Sequence, residues 1–394
     1  LLAEAIAGLL NAGITPVVPE HGSLGCSGDL APLAHCALVL LGEGRAVGPD
    51  GAEGPVPVLL AAHGLEPVVL TEKEGLALIN GTDGMLAMLL LAIADLEQLL
   101  RVADVCAAMT VEALLGTDRA FAADLQDLRP HPGQAASAAN LTRLLRGSPV
   151  VASHRTDDVR VQDAYSLRCS PQVAGAVRDT IEHGRAVALR ELASAVDNPV
   201  VLTDGRVESN GNFHGAPVGY VLDFLAIAVA DLGAISERRT DRMLDPARSH
   251  GLPAFLAADP GLDSGLMIAQ YTQAGLVSEN RRLAVPASTD NIPTSAMQED
   301  HVSMGWSAAR KLRTAVHNLA DILGIELVAA ARALDLRAPL EPAAATGAAR
   351  RALREVVPGP GPDRFLAPEL AAAADLVRGG GLVAAVETVT GALH

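Results

Sequence analysis

Between Gly22 and His35 the chain reads Gly-Ser-Leu-Gly-Cys-Ser-Gly-Asp-Leu-Ala-Pro-Leu-Ala-His, with glycines at 22, 25 and 28 framing Cys26 and Ser27. Three missing Cβ atoms let this backbone fold back on itself in conformations that other residues adopt only at a cost. As ordinary structure the cluster is a capped turn, with Ser27 and Asp29 offering an N-cap oxygen and an early negative charge to the following helix. Three sharper readings fail on the letters. A Walker phosphate loop needs Lys and then Ser or Thr after its last glycine, whereas Gly28 is followed by Asp29 and Leu30. A nucleophile elbow needs glycine two places after the serine, where Asp29 stands. The dinucleotide fingerprint needs its first two glycines separated by one residue, and here two intervene. Chemistry of the backbone itself is what the letters permit. If the Gly28 amide nitrogen attacks the Cys26 carbonyl carbon, a five-membered ring closes. Loss of water from that ring and from the Ser27 hydroxyl then leaves an exocyclic methylene, which is an electrophile. Glycine is needed at the third place, where a Cβ would obstruct the approach, and serine at the second as the source of the methylene.

Other strings carry polar groups at useful spacing. Asn80-Gly81-Thr82 reads by itself as a turn with Thr82 as cap. Gln162, Tyr165 and Arg168 recur every three residues, so a helical or 3₁₀ geometry puts an amide, a phenol and a guanidinium on one face. That set suits an amino-acid substrate, because Arg binds a carboxylate through a two-pronged charge-assisted bond; the plain alternative is a solvated polar face. Asp197-Asn198-Pro199 reads as a helix stop before an extended residue, and Gly211-Asn212-Phe213-His214 as a turn with Phe213 as a core anchor. Gln298-Glu299-Asp300-His301-Val302-Ser303-Met304 resembles a zinc motif only superficially, since His301 has no second histidine four residues away, and no metal is expected. Its plain reading is an acidic helix N-terminus. His35, His214 and His301 are taken as structural donors and acceptors.

The Gly22–His35 string closely resembles the signature of the aromatic amino-acid ammonia-lyases, and most closely that of their histidine branch, although Ala is usual where Cys26 stands. In that family the triad becomes 4-methylideneimidazol-5-one (MIO), so the resemblance implies a prosthetic group formed from Cys26, Ser27 and Gly28 with no metal or diffusible cofactor. It also implies ammonia elimination from L-histidine to trans-urocanate, the first step of histidine degradation. Asn80, Gln162 and Asn198 would then position substrate and prosthetic group, Phe213 would line the site, and Arg168 would hold the carboxylate. Glu299 would face the imidazole or amine, at a place where phenylalanine lyases generally carry Gln. Tyr165 is left as donor or proton relay. One departure is Val285 before Pro286, where many of the histidine branch carry His. The runner-up readings are a phenylalanine or tyrosine lyase, an aminomutase sharing the electrophile, and a non-catalytic helical scaffold. A fumarase or aspartase relative would share the architecture, but its Gly-Ser-Ser loop is not found. The resemblance further implies a homotetramer. It also implies a preceding segment of roughly a hundred residues, carrying a tyrosine proposed as base and a histidine linked to imidazole recognition. Leu1 opens inside an apolar helical pattern without cap or start methionine, so that segment is expected to be lacking.

The elements that must position these groups are mainly helical. Aromatic residues make up only 2% of the 394, so the core must come from Ala, Leu and Val, a composition that favours long, closely packed helices. Apolar periodicity predicts helices over 82–115, 171–196, 217–243, 265–283 and 298–336, hence a mainly α bundle of long parallel and antiparallel helices with the lyase (fumarase/aspartase-like) architecture. The Gly- and Pro-rich stretch 42–67 reads as loops and short extended pieces, and 358–362 as a linker. We divide the chain into 1–80, carrying the triad, and 81–394, carrying the bundle and C-terminal helices. A net charge of −16 without a basic block argues against nucleic acid or an anionic membrane and for a small-molecule partner. The four cysteines show neither CxxC spacing nor disulfide density, and the apolar run 85–94 is too short to span a bilayer, so a reducing cytoplasm is expected.

Overall fold

The computed structural model describes residues 1–156 and 158–394. Four long helices dominate it: Asp83–Ala113, Ser170–Leu192, Ala216–Leu244 and Gly305–Leu336, of 31, 23, 29 and 32 residues. At 1.5 Å per residue the longest run reaches roughly 45–50 Å. The chain is mainly α, as its composition predicts. Its strands are two residues each, in a small sheet of Thr15–Pro16, Ala46–Val47 and Glu53–Gly54 and a hairpin of Val200–Val201 with Val207–Glu208.

Two compact units divide the chain: residues 1–90, 186–223 and 286–310 form the first, and 91–185, 224–285 and 311–394 the second. A single division at residue 80 does not coincide with them, because each unit collects segments far apart in sequence. The first unit has a small core of Leu9, Ile14, Val39, Leu40, Ala46, Val56 and Leu60, packed around the three-stranded sheet. Residues 42–67, read as loops, include a helix over Val56–Ala62 whose Val56 and Leu60 complete that core. The second unit is the bundle interior. Residues 102–114 and 322–334 are buried without a break, so these helix segments have no solvent face. Small side chains make this possible, as at Gly324, where an added Cβ would come within 3.1 Å of the Ala374 amide nitrogen. One buried carboxylate in this core is fully paired. Glu326 takes Arg239 in a two-pronged bond at 2.5 and 2.7 Å, plus hydroxyls from Thr110 at 2.9 Å and Ser236 at 2.6 Å, and so satisfies a carboxylate that desolvation would otherwise penalise heavily. The Ala216–Leu244 helix contains an 18-residue stretch apolar and long enough to cross a membrane, which the sequence reading did not single out, yet 61% of it is buried within the fold, as in a core helix.

Two helix starts differ from expectation in ways that matter for the site. The final long helix begins at Gly305, not Gln298, and residues 298–304 are not an acidic helix N-terminus. Ser303 and Met304 instead bond back to residues 24 and 25, as described below. Asp29 precedes the Leu30–Leu40 helix but makes no capping bond to it. Its carboxylate accepts from the Met85 amide at 2.8 Å and the Ser23 hydroxyl at 2.7 Å, so it caps the first turn of the Asp83–Ala113 helix and ties the glycine-rich loop to it. Burial pushes the Asp29 carboxyl up to about 6, against partial relief from Ser23 and Met85. A folded value above the unfolded one near 3.8 means that the native state holds its proton longer. Asp29 therefore contributes stability that is full below about pH 4 and lost as pH rises through about 6. The expected result is a denaturation midpoint that declines across pH 4–6, with Asp29→Asn flattening that decline; equal slopes in the two proteins would refute it.

Candidate active site

The loop that carries the triad has little freedom. Gly25 lies at φ 71°, and a Cβ there would come within 2.2 Å of the Ser303 hydroxyl and 2.8 Å of the Gly305 nitrogen. Gly28 lies at φ 78°, and its Cβ would come within 2.2 Å of the Gly81 nitrogen and 2.6 Å of the Gly81 oxygen. Between them Ser27 takes φ 47°, a left-handed conformation that costs a non-glycine residue on the order of 1–2 kcal/mol. Surrounding bonds hold it there. The Gly25 carbonyl accepts from Ser303 Oγ at 2.6 Å and from the Gly215 amide at 2.9 Å, the Leu24 carbonyl accepts from the Met304 amide at 2.8 Å, and the Asp29 amide donates to the Gly81 carbonyl at 2.6 Å. Trp306 Nε1 donates to the Glu20 carbonyl at 2.9 Å, and Arg310 pairs with the Glu20 carboxylate.

Cys26 is buried with Val302 and Met304, and its thiol donates to Glu299 Oε2 at 3.8 Å. Burial first, and then the neighbouring Glu299 charge, push the thiol up to about 11. At neutral pH the Cys26 thiol therefore stays protonated. Glu299 is the opposite case. The Thr294 hydroxyl donates to its Oε2 at 2.7 Å, further bonds come from Ser27, Ser295 and Cys26, and together they hold its carboxyl below the usual range despite partial burial. A two-way backbone pairing of Thr294 with Glu299, at 3.0 and 3.3 Å, closes this turn across Ser295, Ala296 and Met297, all three at positive φ. An ionised carboxylate thus stands beside the Ser27 hydroxyl.

Asn80 is 5% exposed, and its Nδ2 donates to the Asn198 carbonyl at 2.7 Å and to Asp197 Oδ1 at 3.2 Å. Among the described residues its Oδ1 is buried without a partner. Asn198 keeps its own Oδ1 engaged, accepting from the Asn210 amide at 2.9 Å. Phe213 is half-buried in the turn whose Gly215 bonds Gly25. His214 and His301 stack with ring centroids 5.7 Å apart, and His214 Nε2 lies 3.1 Å from the His301 carbonyl, a structural pairing of the kind expected for them.

The first unit therefore brings Cys26, Ser27, Gly28, Asn80, Asn198, Phe213 and Glu299 into one bonded framework. Gln162, Tyr165 and Arg168 belong to the second unit and are less alike than their spacing predicts. Only Tyr165–Arg168 is helical; Gln162 lies in the preceding bend, exposed, so the three do not share a helix face. Within this group the Arg168 guanidinium sits over the Tyr165 ring, 4.7 Å from its centroid, and Arg168 Nε donates to the Asp163 carbonyl at 3.0 Å. That bond fixes one side of the guanidinium fork. Sequence reasoning missed Ser23, Lys73, Asp197 as a side chain, Gly215 and Thr294. Ser303 stood inside a string already singled out, whereas nothing local marks Lys73 or Thr294.

A mainly α bundle of long helices, with a strained, glycine-framed serine beside a carboxylate and Gly28 against the Asn80–Gly81 peptide, matches a class of carbon–nitrogen lyase. The chain belongs to the aromatic amino acid lyase family, which it matches over residues 1–355. It is 69% identical over 394 residues to the histidine ammonia-lyase of Streptomyces coelicolor, covering 100% of this chain and 77% of that protein. Among solved structures, histidine ammonia-lyase from Trypanosoma cruzi superposes with a TM-score of 0.90 at 41% identity, covering 98% of this chain and 73% of that one. Tyrosine aminomutase from Streptomyces globisporus superposes with a TM-score of 0.93 at 39% identity, covering 100% and 78%.

Proposed function

We propose that this protein eliminates ammonia from L-histidine to give trans-urocanate, using an MIO group formed from Cys26, Ser27 and Gly28. The observation that carries the reading is Ser27 at φ 47° beside a Gly28 that has no room for a Cβ. The loop fits the ring: Gly28 carries no Cβ where one would meet the Gly81 backbone, the Ser27 hydroxyl bonds to the Glu299 carboxylate, and among the described residues the buried Asn80 Oδ1 has no partner. When formed, the group supplies an electrophile that converts the substrate amine into a better leaving group.

The chain's own residues meet the remaining demands. An amine leaves poorly and a β-hydrogen is barely acidic, so substrate must be held and charge stabilised. Arg168 binds the carboxylate with the edge of its fork not used by Asp163. Asn80 and Asn198 orient the reacting end, Gln162 adds a polar contact, Phe213 forms apolar wall, and Tyr165 donates or relays a proton. Glu299 accepts from the imidazole N–H. Exposed Phe224, Ile227, Ile268 and Tyr271 support a homotetramer in which such surface is covered, a context in which the site draws on more than one subunit. An aminomutase or a phenylalanine or tyrosine lyase shares the fold, and the ionised Glu299 is what favours histidine over them.

Incubation with L-histidine, L-phenylalanine and L-tyrosine, followed by ultraviolet absorption of the conjugated products, tests the reading; urocanate should be the dominant product, and a preference for either other amino acid overturns it. Arg168→Lys keeps charge but loses the fork. We expect KM for histidine to rise by the equivalent of about 1–3 kcal/mol, and wild-type kinetics in that variant would remove Arg168 from the site.

A further inference from the structure

Asn80 has one end tied and one end loose. Its Nδ2 is held by the Asn198 carbonyl and Asp197 Oδ1, whereas its Oδ1 is buried and, among the described residues, unpartnered, and the Asn80–Gly81 peptide lies against Gly28. An asparagine amide can turn over and exchange its oxygen for its nitrogen, so something must choose. The Asn198 carbonyl and the Asp197 carboxylate make the choice together, because neither can face the amide oxygen, and Asp197 is the one a side-chain substitution removes. Asp197 is itself held from behind by Lys73, which pairs with its Oδ2, and its backbone carbonyl takes Asn210 Nδ2 at 2.9 Å. Lys73 sits at φ 75°, a left-handed conformation that costs energy for a lysine and turns the chain at the start of the short Glu74–Ala77 helix.

We propose that Lys73 and Asp197 are positioning residues: the ion pair locks the Asn80 amide so that Oδ1 faces the group formed at Cys26–Gly28, and they touch neither substrate nor the reacting atoms. The inference rests on the proposed lyase reading. Its consequence is that Asp197 matters only through Asn80. Without the aspartate only the Asn198 carbonyl holds Nδ2, so the amide turns over more readily, and the wrong orientation presents an N–H₂ where an acceptor is needed. Lys73 acts one step further back, so its loss should be felt less.

The test is a double-mutant cycle on the full chain, with Asn80→Ala, Asp197→Ala and the pair, read by kcat and KM for histidine and by the two-water deficit in intact mass that reports ring formation. Asp197→Ala should lower kcat by roughly tenfold or more with little change in KM, and the double variant should match Asn80→Ala alone, the non-additivity of groups that act as one. Lys73→Met should cost a few-fold in kcat, and Lys73→Arg should restore most of it. Multiplying effects in the cycle, or an Asp197→Ala variant with wild-type kcat, would overturn the inference while leaving the lyase reading intact. If Asp197→Ala does not fold, Asp197→Asn serves in its place. A wild-type protein that shows no mass deficit and makes no urocanate would overturn the lyase reading and the inference with it.

Discussion

Replacing Ser27 with alanine is expected to abolish turnover of histidine, by about 10³-fold or more, and to leave intact mass at its encoded value where the wild type falls short by two waters. The reason is chemical: alanine has no hydroxyl to lose, so no methylene arises. The structure separates this from a folding defect. Ser27 bears a left-handed φ of 47° that alanine would bear at similar cost, and the backbone bonds that hold the loop come from Gly25, Leu24 and Asp29, with the Ser27 side chain adding only its bond to Glu299. Ser27→Ala should therefore match the wild type in circular dichroism and melting temperature. Gly28→Ala makes the contrast, because its Cβ would lie 2.2 Å from a backbone nitrogen that cannot move aside, and that variant should lose loop structure and ring together. A Ser27→Ala protein with wild-type turnover, or a folded wild type at full encoded mass, would sink the electrophile.

Glu299→Gln should lower kcat/KM for histidine by about 10²-fold or more while changing any residual turnover of phenylalanine only a few-fold. Both Thr294 Oγ1 and the Cys26 thiol donate to Oε2 of this carboxylate. In the glutamine variant the amide oxygen must stay at that position to accept them, so the NH₂ is what turns toward the ligand. An imidazole N–H then meets a donor and loses its acceptor, and a buried donor left facing a donor is costly. A phenyl ring offers no such bond and loses nothing. Because the carboxyl is held below its usual range, the effect should persist from neutral pH down to the onset of acid denaturation and not titrate away near pH 6. Equal losses for both substrates would show that Glu299 shapes the loop without reading the ring, and a wild type preferring phenylalanine would remove histidine as substrate.

The residues that demand particular local chemistry are legible in the letters. Gly28 needs no partner in view to be recognised as the place where a Cβ cannot stand, and an Ala/Leu-rich chain with few aromatic residues can hardly fold otherwise than into long helices. The long helices at 83–113, 170–192, 216–244 and 267–283 follow from periodicity to within a few residues, because helix formation is a matter of near neighbours. The tertiary structure decided what those near neighbours cannot. Acid and helical periodicity around 298–304 predict a helix, yet Ser303 and Met304 are spent on residues more than two hundred and seventy positions earlier, so the helix waits until Gly305. Asp29 sits at a cap position and caps a different helix instead. The even spacing of Gln162, Tyr165 and Arg168 suggests one face, and a single turn of helix that begins only at Tyr165 divides them. Lys73, Asp197 and Asn80 carry no motif in common; they became one group only when residues 186–223 folded against 1–90 within a single unit. Backbone chemistry and helical period are set by adjacent residues and can be read from them. The partner of a buried polar group is set by whichever distant segment best satisfies it, and that choice exists only in the folded chain.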